Sequence, residues 1–491
     1  MAEQQEKGQQ ATVEEGSLLD QMLEDAKVRP SDESYGTTAL GLKQLLREML
    51  APDKKGGRVD KKAVDRMIAE IDQQLSKQVN EVLHHPKVQK LESSWRGLKY
   101  LVDNTDFREN NKVEFLNVSK DDLAADFEDT PEIPKSGLYQ KVYAREYGVF
   151  GGSPVGMIVG NYDFDHNQGD IELLRNIAAV SAMSHAPFIG NAAPKFFGCD
   201  SWLEVPKLRD LQAIFDSPKY AAWNSFRESE DSRYVGLTGP RFLLRRIYGK
   251  DNIKVKEFDF EEEVIGEHES YLWGGSAFAM ATRVADSFAQ YRWCPNIIGP
   301  NSGGAVENLP LHQYESMGEL QTKIPTEVQL TLRREFEMSE QGFIGLTYKK
   351  DSDNAAFFSA NSCQKPKNFP DTPEGKKAET NYRLGTMLPY VFIISRLAHY
   401  LKVLQTEHIG SWKERADLER ELNKWISQYV TEMDNPAPAI RARKPLREAR
   451  VIVENVDGQP GWYKCKLEVR PFFKYMGADF TLSLVGKLDK D

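Results

Sequence analysis

The sequence predicts an α/β protein of mixed sheets flanked by helices, closing in a compact helix–helix–strands unit. Three observations predict it. Between 113 and 358, apolar runs of strand length alternate with stretches of helical period. From 384 to 429, two apolar stripes recur every three or four residues. From 450 to 485 the period falls to two. Tyr463, Cys465, Leu467 and Val469 alternate with Lys464, Lys466, Glu468 and Arg470, and Phe480, Leu482 and Leu484 repeat the pattern against Thr481 and Ser483.

The elements follow in order. Residues 1–16 are rich in Gln and Glu and nearly lack large apolar side chains, which predicts disorder. Ser17 and Asp20 form a capping box for a short helix with Leu18, Leu19, Met22, Leu23 and Ala26 on one face, stopped by Pro30. A helix this short is marginal alone, so it docks on its own domain or enters a partner's groove. Residues 1–60 therefore read as a flexible arm carrying a short recognition helix.

After Lys54–Gly57, Val64, Ile68, Ile71, Leu75, Val79 and Val82 set out a long amphipathic helix. His85-Pro86 breaks it, and Leu91, Trp95, Leu98 and Val102 stripe the next one. Both stripes are expected in the core. Val113, Phe115 and Asn117 begin an alternating strand, and 155–159 forms another. Helical patterns run over 171–183, 208–215 and 270–291, the last small on one side through Ala277, Ala279, Ala281, Ala285 and Ala289. Residues 327–336 read as a strand, with Val328, Leu330 and Leu332 on one face. Residues 342–348 and 355–358 complete a meander around the turn Asp351–Asn354. Together 61–361 form the α/β part.

Residues 362–375, rich in Pro and Lys, read as a linker. In 376–491 a helix carries Leu384, Leu388, Val391, Ile394, Ala398 and Leu401, with Pro389 kinking it or marking its start. A second carries Leu418, Leu422, Trp425 and Tyr429. Val451-Ile452-Val453 then reads as a strand buried on both faces, turning through Asp457-Gly458 and Pro460-Gly461. The last strand lies near the terminus, and its edge must be covered or used. The pattern alone admits a hairpin closing the protein's own sheet or strands pairing with another chain.

Composition narrows the function. The 491 residues are 40% hydrophobic and 28% charged, with formal net charge −10. That balance argues against a general nucleic-acid binder. No signal peptide precedes the arm, and no apolar run reaches membrane-spanning length. Cys199, Cys294, Cys363 and Cys465 are scattered, which suits reduced thiols in a cytoplasmic protein. Among the histidines, His84 and His85 are adjacent and His399 and His408 nine apart, so no metal-ligand spacing is present. Gly151-Gly152-Ser153-Pro154-Val155-Gly156 lacks the Lys of a phosphate loop and reads as a turn into a strand. Glu261–Glu263 read as a solvated face. No cofactor is expected. The remaining charged feature is Arg441, Arg443, Lys444, Arg447 and Arg450. It is a basic run on an acidic chain, suited to an acidic partner surface or a phosphate backbone, or left as a solvated loop.

Several of these residues carry a resemblance. They are Leu18-Leu19-Asp20, His85-Pro86 with Leu91-Glu92 and Trp95–Leu98, Glu327-Val328 with Arg334-Glu335 and Gly342-Phe343, and Ser395–Lys402. Together they resemble the large subunit of the contractile sheath of the bacterial type VI secretion system, the TssC or VipB family, over nearly the whole chain. The resemblance implies a phage-tail-sheath-like fold and a structural protein without enzymatic activity. It implies pairing with a small sheath subunit of the TssB or VipA type in a helical polymer around an inner tube of Hcp type, which contraction drives out of the cell. It also implies terminal strands exchanged between protomers, giving Tyr463, Cys465, Leu467, Val469, Phe480, Leu482 and Leu484 their role. In the family a short N-terminal helix is bound by the AAA+ disassembly ATPase of ClpV type, so Leu18, Leu19, Met22 and Leu23 would be its anchors. Arg441, Arg443, Lys444 and Arg447 would face the tube or a neighbouring subunit. A phage tail-sheath protein would share the architecture. An α/β enzyme holding a phosphorylated ligand at the Gly151 loop is the reading from another class.

Overall fold

A computed structural model describes residues 61–130, 132–250, 252–264, 268–316, 318–410, 414–433, 435–456 and 463–472, with a few helical positions between 35 and 43. The expected capped helix of 17–26, the turn at 457–461 and the strand at 480–484 lie outside the described residues. The chain forms two units, one combining residues up to Glu81 with Tyr248–Glu262, the other Val82–Ile247 with Glu263 onward.

In the first unit, helix α1 (Lys61–Leu83) inverts the expected burial. Ile68, Ile71 and Leu75 are exposed, while Ser76 and Asn80 are buried. Asn80 Nδ2 donates to the Glu261 carbonyl. Glu262, expected on a solvated face, is buried and accepts from the Tyr248 amide at 2.9 Å.

The second unit is built on a six-stranded sheet in the order β1-β2-β3-β5-β6-β4. Its strands are β1 (Ile158–Phe164), β2 (Phe188–Ala192), β3 (Val235–Gly239), β4 (Ala305–Val306), β5 (Phe343–Tyr348) and β6 (Ala355–Phe357). The first four in sheet order pair parallel, and β6 pairs antiparallel with β5 and β4. The mixed sheet and the antiparallel pair of 342–348 with 355–358 are as the sequence predicts, but the third strand of the expected meander is missing. β2, β3 and β5 are buried along their whole length, as parallel strands covered on both faces must be.

Neighbouring residues divide between the two faces. Phe188, Leu237 and Phe343 join a core with helices α3 (Gln168–Ser184) and α4 (Ala221–Glu228). Ile189 and Ile344 join another with α5 (Ser276–Tyr291). The small residues seen in the sequence bring α5 close to the sheet, where Asn191 Oδ1 accepts from the Ala277 amide at 3.0 Å. Helix α2 (Pro86–Asp103) approaches α5 equally closely: a Cβ on Gly97 would lie 2.4 Å from the Phe278 ring.

Several local expectations fail. Residues 111–118 form no strand among the described residues, since nothing pairs with them. The strand at 155–159 starts at Ile158 instead, and the helices at 208–215 and 270–291 shrink to Leu211–Phe215 and Ser276–Tyr291. The strand expected at 327–336 does not form: its second half opens helix α6 (Leu332–Glu340), where the Thr331 side chain caps the Arg334 amide. Val328 and Leu330 are buried while Leu332 is exposed, so the three residues read on one face part company. The Leu91, Trp95 and Val102 stripe of α2 faces outward, so the core reading is wrong there. Ser362, Cys363 and Gln364, at the start of the linker-like stretch, are buried, and the Cys363 amide bonds the Val235 carbonyl at 2.8 Å.

The C-terminal part starts with α7 (Pro373–Gly385) and α8 (Leu388–Glu407), and Pro389 sits in the first turn of α8. α9 (Arg415–Ser427) and α10 (Pro438–Arg443) precede the hairpin of β7 (Leu446–Asn455) and β8 (Tyr463–Pro471). Leu397, Leu401, Leu422, Ile426, Val451 and Val453 form its core. His399 ties α8 to the end of α3, with its Nε2 2.8 Å from the Ser184 carbonyl. Burial pushes its pKa down to about 4, so it is a neutral core residue.

Candidate assembly interface

Period two in β7 and β8 sorts the hairpin into two faces. Val451 and Val453 are fully buried, and Tyr463, Cys465, Leu467 and Val469 pack half-buried on the same core. Ile452 falls on the other face and is only half-buried, so β7 is not covered on both sides. Opposite charges meet across that outer face, where Arg450 lies across from Glu468, Glu454 from Lys464 and Glu448 from Arg470. Arg470 and Glu448 approach to 3.2 Å. A one-residue slip would oppose charged to apolar side chains and turn one strand's apolar face to water, and a two-residue slip would set Arg450 against Lys466 or Arg470, so the register is fixed.

The two edges of the hairpin differ. Helix α9 covers the free edge of β7 with side chains. Asn423 accepts from the Val451 amide at 2.9 Å and donates to its carbonyl at 2.7 Å. Glu419 and Arg415 reach the amide and carbonyl of Val453 at 3.4 and 3.3 Å. These groups point away from β8, so Val451–Leu467 and Val453–Cys465 are non-hydrogen-bonded pairs. By the alternation of an antiparallel ladder, Tyr463, Cys465, Leu467 and Val469 then aim their amides and carbonyls at the far side of β8. Among the described residues no strand pairs there. One edge is closed by side chains, and the other offers a row of backbone donors and acceptors.

The basic run leads into this hairpin. It is not one loop: Arg441 and Arg443 end α10, while Arg447 and Arg450 lie in β7. Arg441 donates to the Pro436 carbonyl at 2.8 Å, bonds Asn435 and lies over the Phe472 ring. Arg443, Lys444 and Arg447 are exposed. Leu18, Leu19, Met22, Leu23, Phe480, Leu482 and Leu484 lie outside the described residues.

The Gly151 loop is poorly suited to a phosphate. Gly151 has φ +79°, and a Cβ on Gly152 would sit 2.1 Å from the Glu146 carbonyl oxygen. The Ser153 amide already donates to the Glu146 carboxylate at 2.9 Å. The loop's donor is spent on an anion of the chain itself.

One cluster escaped the sequence reading. Arg241 Nε and Nη2 clamp the buried Glu327 carboxylate at 2.8 and 2.6 Å. His268 Nε2 lies 3.4 Å from Glu327, and Lys323 Nζ lies 3.1 Å from His268 Nδ1. Nδ1 therefore accepts, and Nε2 carries the hydrogen. Lys323 also stands over the Tyr271 and Trp273 rings. Burial raises the Glu327 pKa, but the bonds from Arg241 outweigh it and hold the carboxyl below its ordinary range. His268, Glu269 and Glu327 bring ligand atoms within 4.8 Å of one another, yet Arg241 and Lys323 already supply the cationic charge a metal would bring. His268 and Glu327 stand 59 residues apart, so no short motif reveals the group.

Comparison with known proteins gives two family matches. Residues 65–364 match the EvpB/VC_A0108 tail sheath N-terminal domain (VipB), and residues 377–488 match the corresponding gpW/gp25-like domain. The chain is 45% identical over 433 residues to the type VI secretion system sheath protein TssC1 of Pseudomonas aeruginosa, covering 87% of this chain and 86% of that one. Two cryo-electron microscopy structures of the anti-feeding prophage superpose only loosely. Its baseplate aligns with TM-score 0.35 at 8% identity, covering 64% of this chain and 66% of that one. Its contracted helical sheath aligns with TM-score 0.26 at 10% identity, covering 65% and 75%. Superpositions that loose fix no detail of the fold.

Proposed function

The chain belongs to the VipB tail sheath family, and from that premise we propose that it is the large subunit of a type VI secretion sheath. It joins a small sheath subunit in a helical polymer around an inner tube and contracts to drive that tube out of the cell. It acts in the cytoplasm and catalyses no reaction. Among the described residues no helix is long and apolar enough to cross a membrane. The observation that carries the reading is the 45% identity to TssC1 over 87% of the chain. The two matched domains support a division between an α/β part and a C-terminal helix–helix–strands part.

The C-terminal hairpin is the assembly element of this reading. The open side of β8 takes a strand from a neighbouring protomer, and the 480–484 strand is given to another. Backbone pairing survives subunit rotation, because a strand on a flexible linker stays paired while its domain swings. Contraction then draws on new contacts between domains rather than on nucleotide hydrolysis at that step. Arg443, Lys444 and Arg447 face the tube or a neighbouring subunit. Co-expression with the small subunit tests the reading, with hollow tubes that need both chains as the expected product.

Recycling is assigned to the N-terminal helix. Leu18, Leu19, Met22 and Leu23 anchor it in a groove of the AAA+ disassembly ATPase. Leu19→Asp with Leu23→Asp should weaken ATPase binding at least about tenfold, since each buried leucine contributes roughly 1.5–3 kcal/mol. Undiminished binding in a pull-down with the purified ATPase removes the assignment.

A further inference from the structure

Two side chains of the Ser395–Lys402 motif meet one seam. His399 and Lys402 reach from α8 to Gln140–Tyr147, a π-helix in which Val142 alone is buried. Lys402 Nζ lies 3.7 Å from the centre of the Tyr147 ring and 4.6 Å from that of Tyr143. It also donates to the Tyr143 hydroxyl at 3.1 Å. The Tyr147 ring meets those of His399 and His185 edge to face, with centroids 5.1 and 6.3 Å apart. An eight-residue helix with one buried side chain is held by such contacts rather than by a core of its own. It belongs to the low-stability end of the fold. α8 is different, because Leu388 and Phe392 anchor it in the sheet core.

The seam resists protons. His399 Nε2 donates to the Ser184 carbonyl, so Nδ1 carries the lone pair. Nδ1 is buried and has no hydrogen-bond partner among the described residues. A proton taken up there would make a buried N–H without an acceptor. Burial lowers the His399 pKa to about 4, helped by Arg396, His185 and Lys402 against the Ser184 bond. Burial and Lys402 lower that of His185, whose Nδ1 lies 3.3 Å from the Tyr234 hydroxyl. On the π-helix, Lys141 and Arg145 are exposed, and Glu146 accepts from the Ser153 amide at 2.9 Å. On the turn Asp231–Tyr234, Arg233 and Asp231 act on the Tyr234 hydroxyl in opposite senses. The fixed charges that act most on the two imidazoles are thus the cations of α8.

We propose that Lys402, His399 and His185 form a latch that holds the Gln140–Tyr147 helix to α8 and opens when the two histidines take up protons. Opening frees that helix and the loop after it, where Val149 and Phe150 are already exposed, while α8 stays anchored. The sign follows from the closed state binding protons more weakly. Opening is favoured as pH falls below the ordinary histidine value of 6.5, and the effect of His399 levels off below about 4. The inference needs only this chain and does not depend on the sheath reading.

Amide hydrogen exchange of the full-length chain, corrected for intrinsic rates, reads the latch at about pH 7.5 and about pH 5. Protection across 140–147 should fall at least about tenfold at the lower pH, while β2 and β3 keep theirs. His399→Gln retains a donor for the Ser184 carbonyl and cannot titrate. His185→Asn suits the φ of +50° at that position. In the double variant the pH difference should vanish. Lys402→Met, which lacks the ammonium over Tyr147, should lower protection of 140–147 at both pH values. Equal wild-type protection at the two pH values overturns the proposal, as does an undiminished pH difference in the double variant. Parental protection in Lys402→Met removes the clamp. Joint loss across 140–147 and the central strands would be global unfolding and would also overturn a local latch.

Discussion

Replacing Arg241 with methionine should lower the unfolding free energy by about 3 kcal/mol, the lower end for breaking a buried ion pair. The lower end applies because the Arg241 side chain is 31% exposed, while that of Glu327 is wholly buried. Most of the cost is the carboxylate left behind, with only His268 at 3.4 Å to meet it. Glu327→Gln in the same background should therefore recover part of the loss. The pH dependence carries a signature. In the parent, Glu327 is held below its ordinary value near 4.5, so its contribution is present above that pH and lost as pH falls through the depressed value. Without Arg241, burial, the largest influence on the carboxyl, is opposed by the His268 contact and no longer by the guanidinium, and it raises the carboxyl. The sign then reverses, and stability falls as pH rises through the raised value. Urea titrations from neutral pH down to below the ordinary carboxylate range read both effects. A variant with parental stability and parental pH profile would show that the pair contributes nothing to the fold.

Deleting residues 480–491 should abolish polymerisation while leaving the heterodimer with the small subunit intact. The core of the C-terminal part is complete without them: α9 closes the β7 edge through Asn423, and Val451 and Val453 are buried within 446–455. The deletion removes a strand to give away, while the open side of β8 remains able to receive one. Each protomer would accept but not donate, and a chain of exchanges stops at its first link. Size-exclusion chromatography should find the heterodimer, and electron microscopy should find no tubes. Full-length tubes from the truncated chain would refute strand exchange. Loss of the heterodimer instead would place the segment in the subunit contact.

The two long-range features explain what was legible in the sequence. Period two at 463–469 and the apolar stripe of α8 announce themselves because their partners are core, and burial writes its period into the chain. The same rule misled for α2 and for Ile68, Ile71 and Leu75 of α1. Their stripes are as regular as core stripes, yet they face outward, and Ser93, Gly97 and Asn80 face inward. Periodicity tells that a helix is two-faced, and does not tell which face is buried. At 327–336, Val328, Leu330 and Leu332 alternate like a strand, but Thr331 with Arg334, Glu335, Met338 and Ser339 buried behind it makes a capped helix. A single capping hydroxyl outweighed three residues of alternation. The Arg241–Glu327–His268 cluster assembles from three separate segments, and only the tertiary fold brings them together.

The central claim is that this chain is half of a contractile sheath. Negative-stain electron microscopy of the chain co-expressed with its small partner tests it most directly. Hollow, cog-like tubes that require both chains are the expected product. Discrete soluble particles, with no tubes from either chain alone or from the pair, would contradict it.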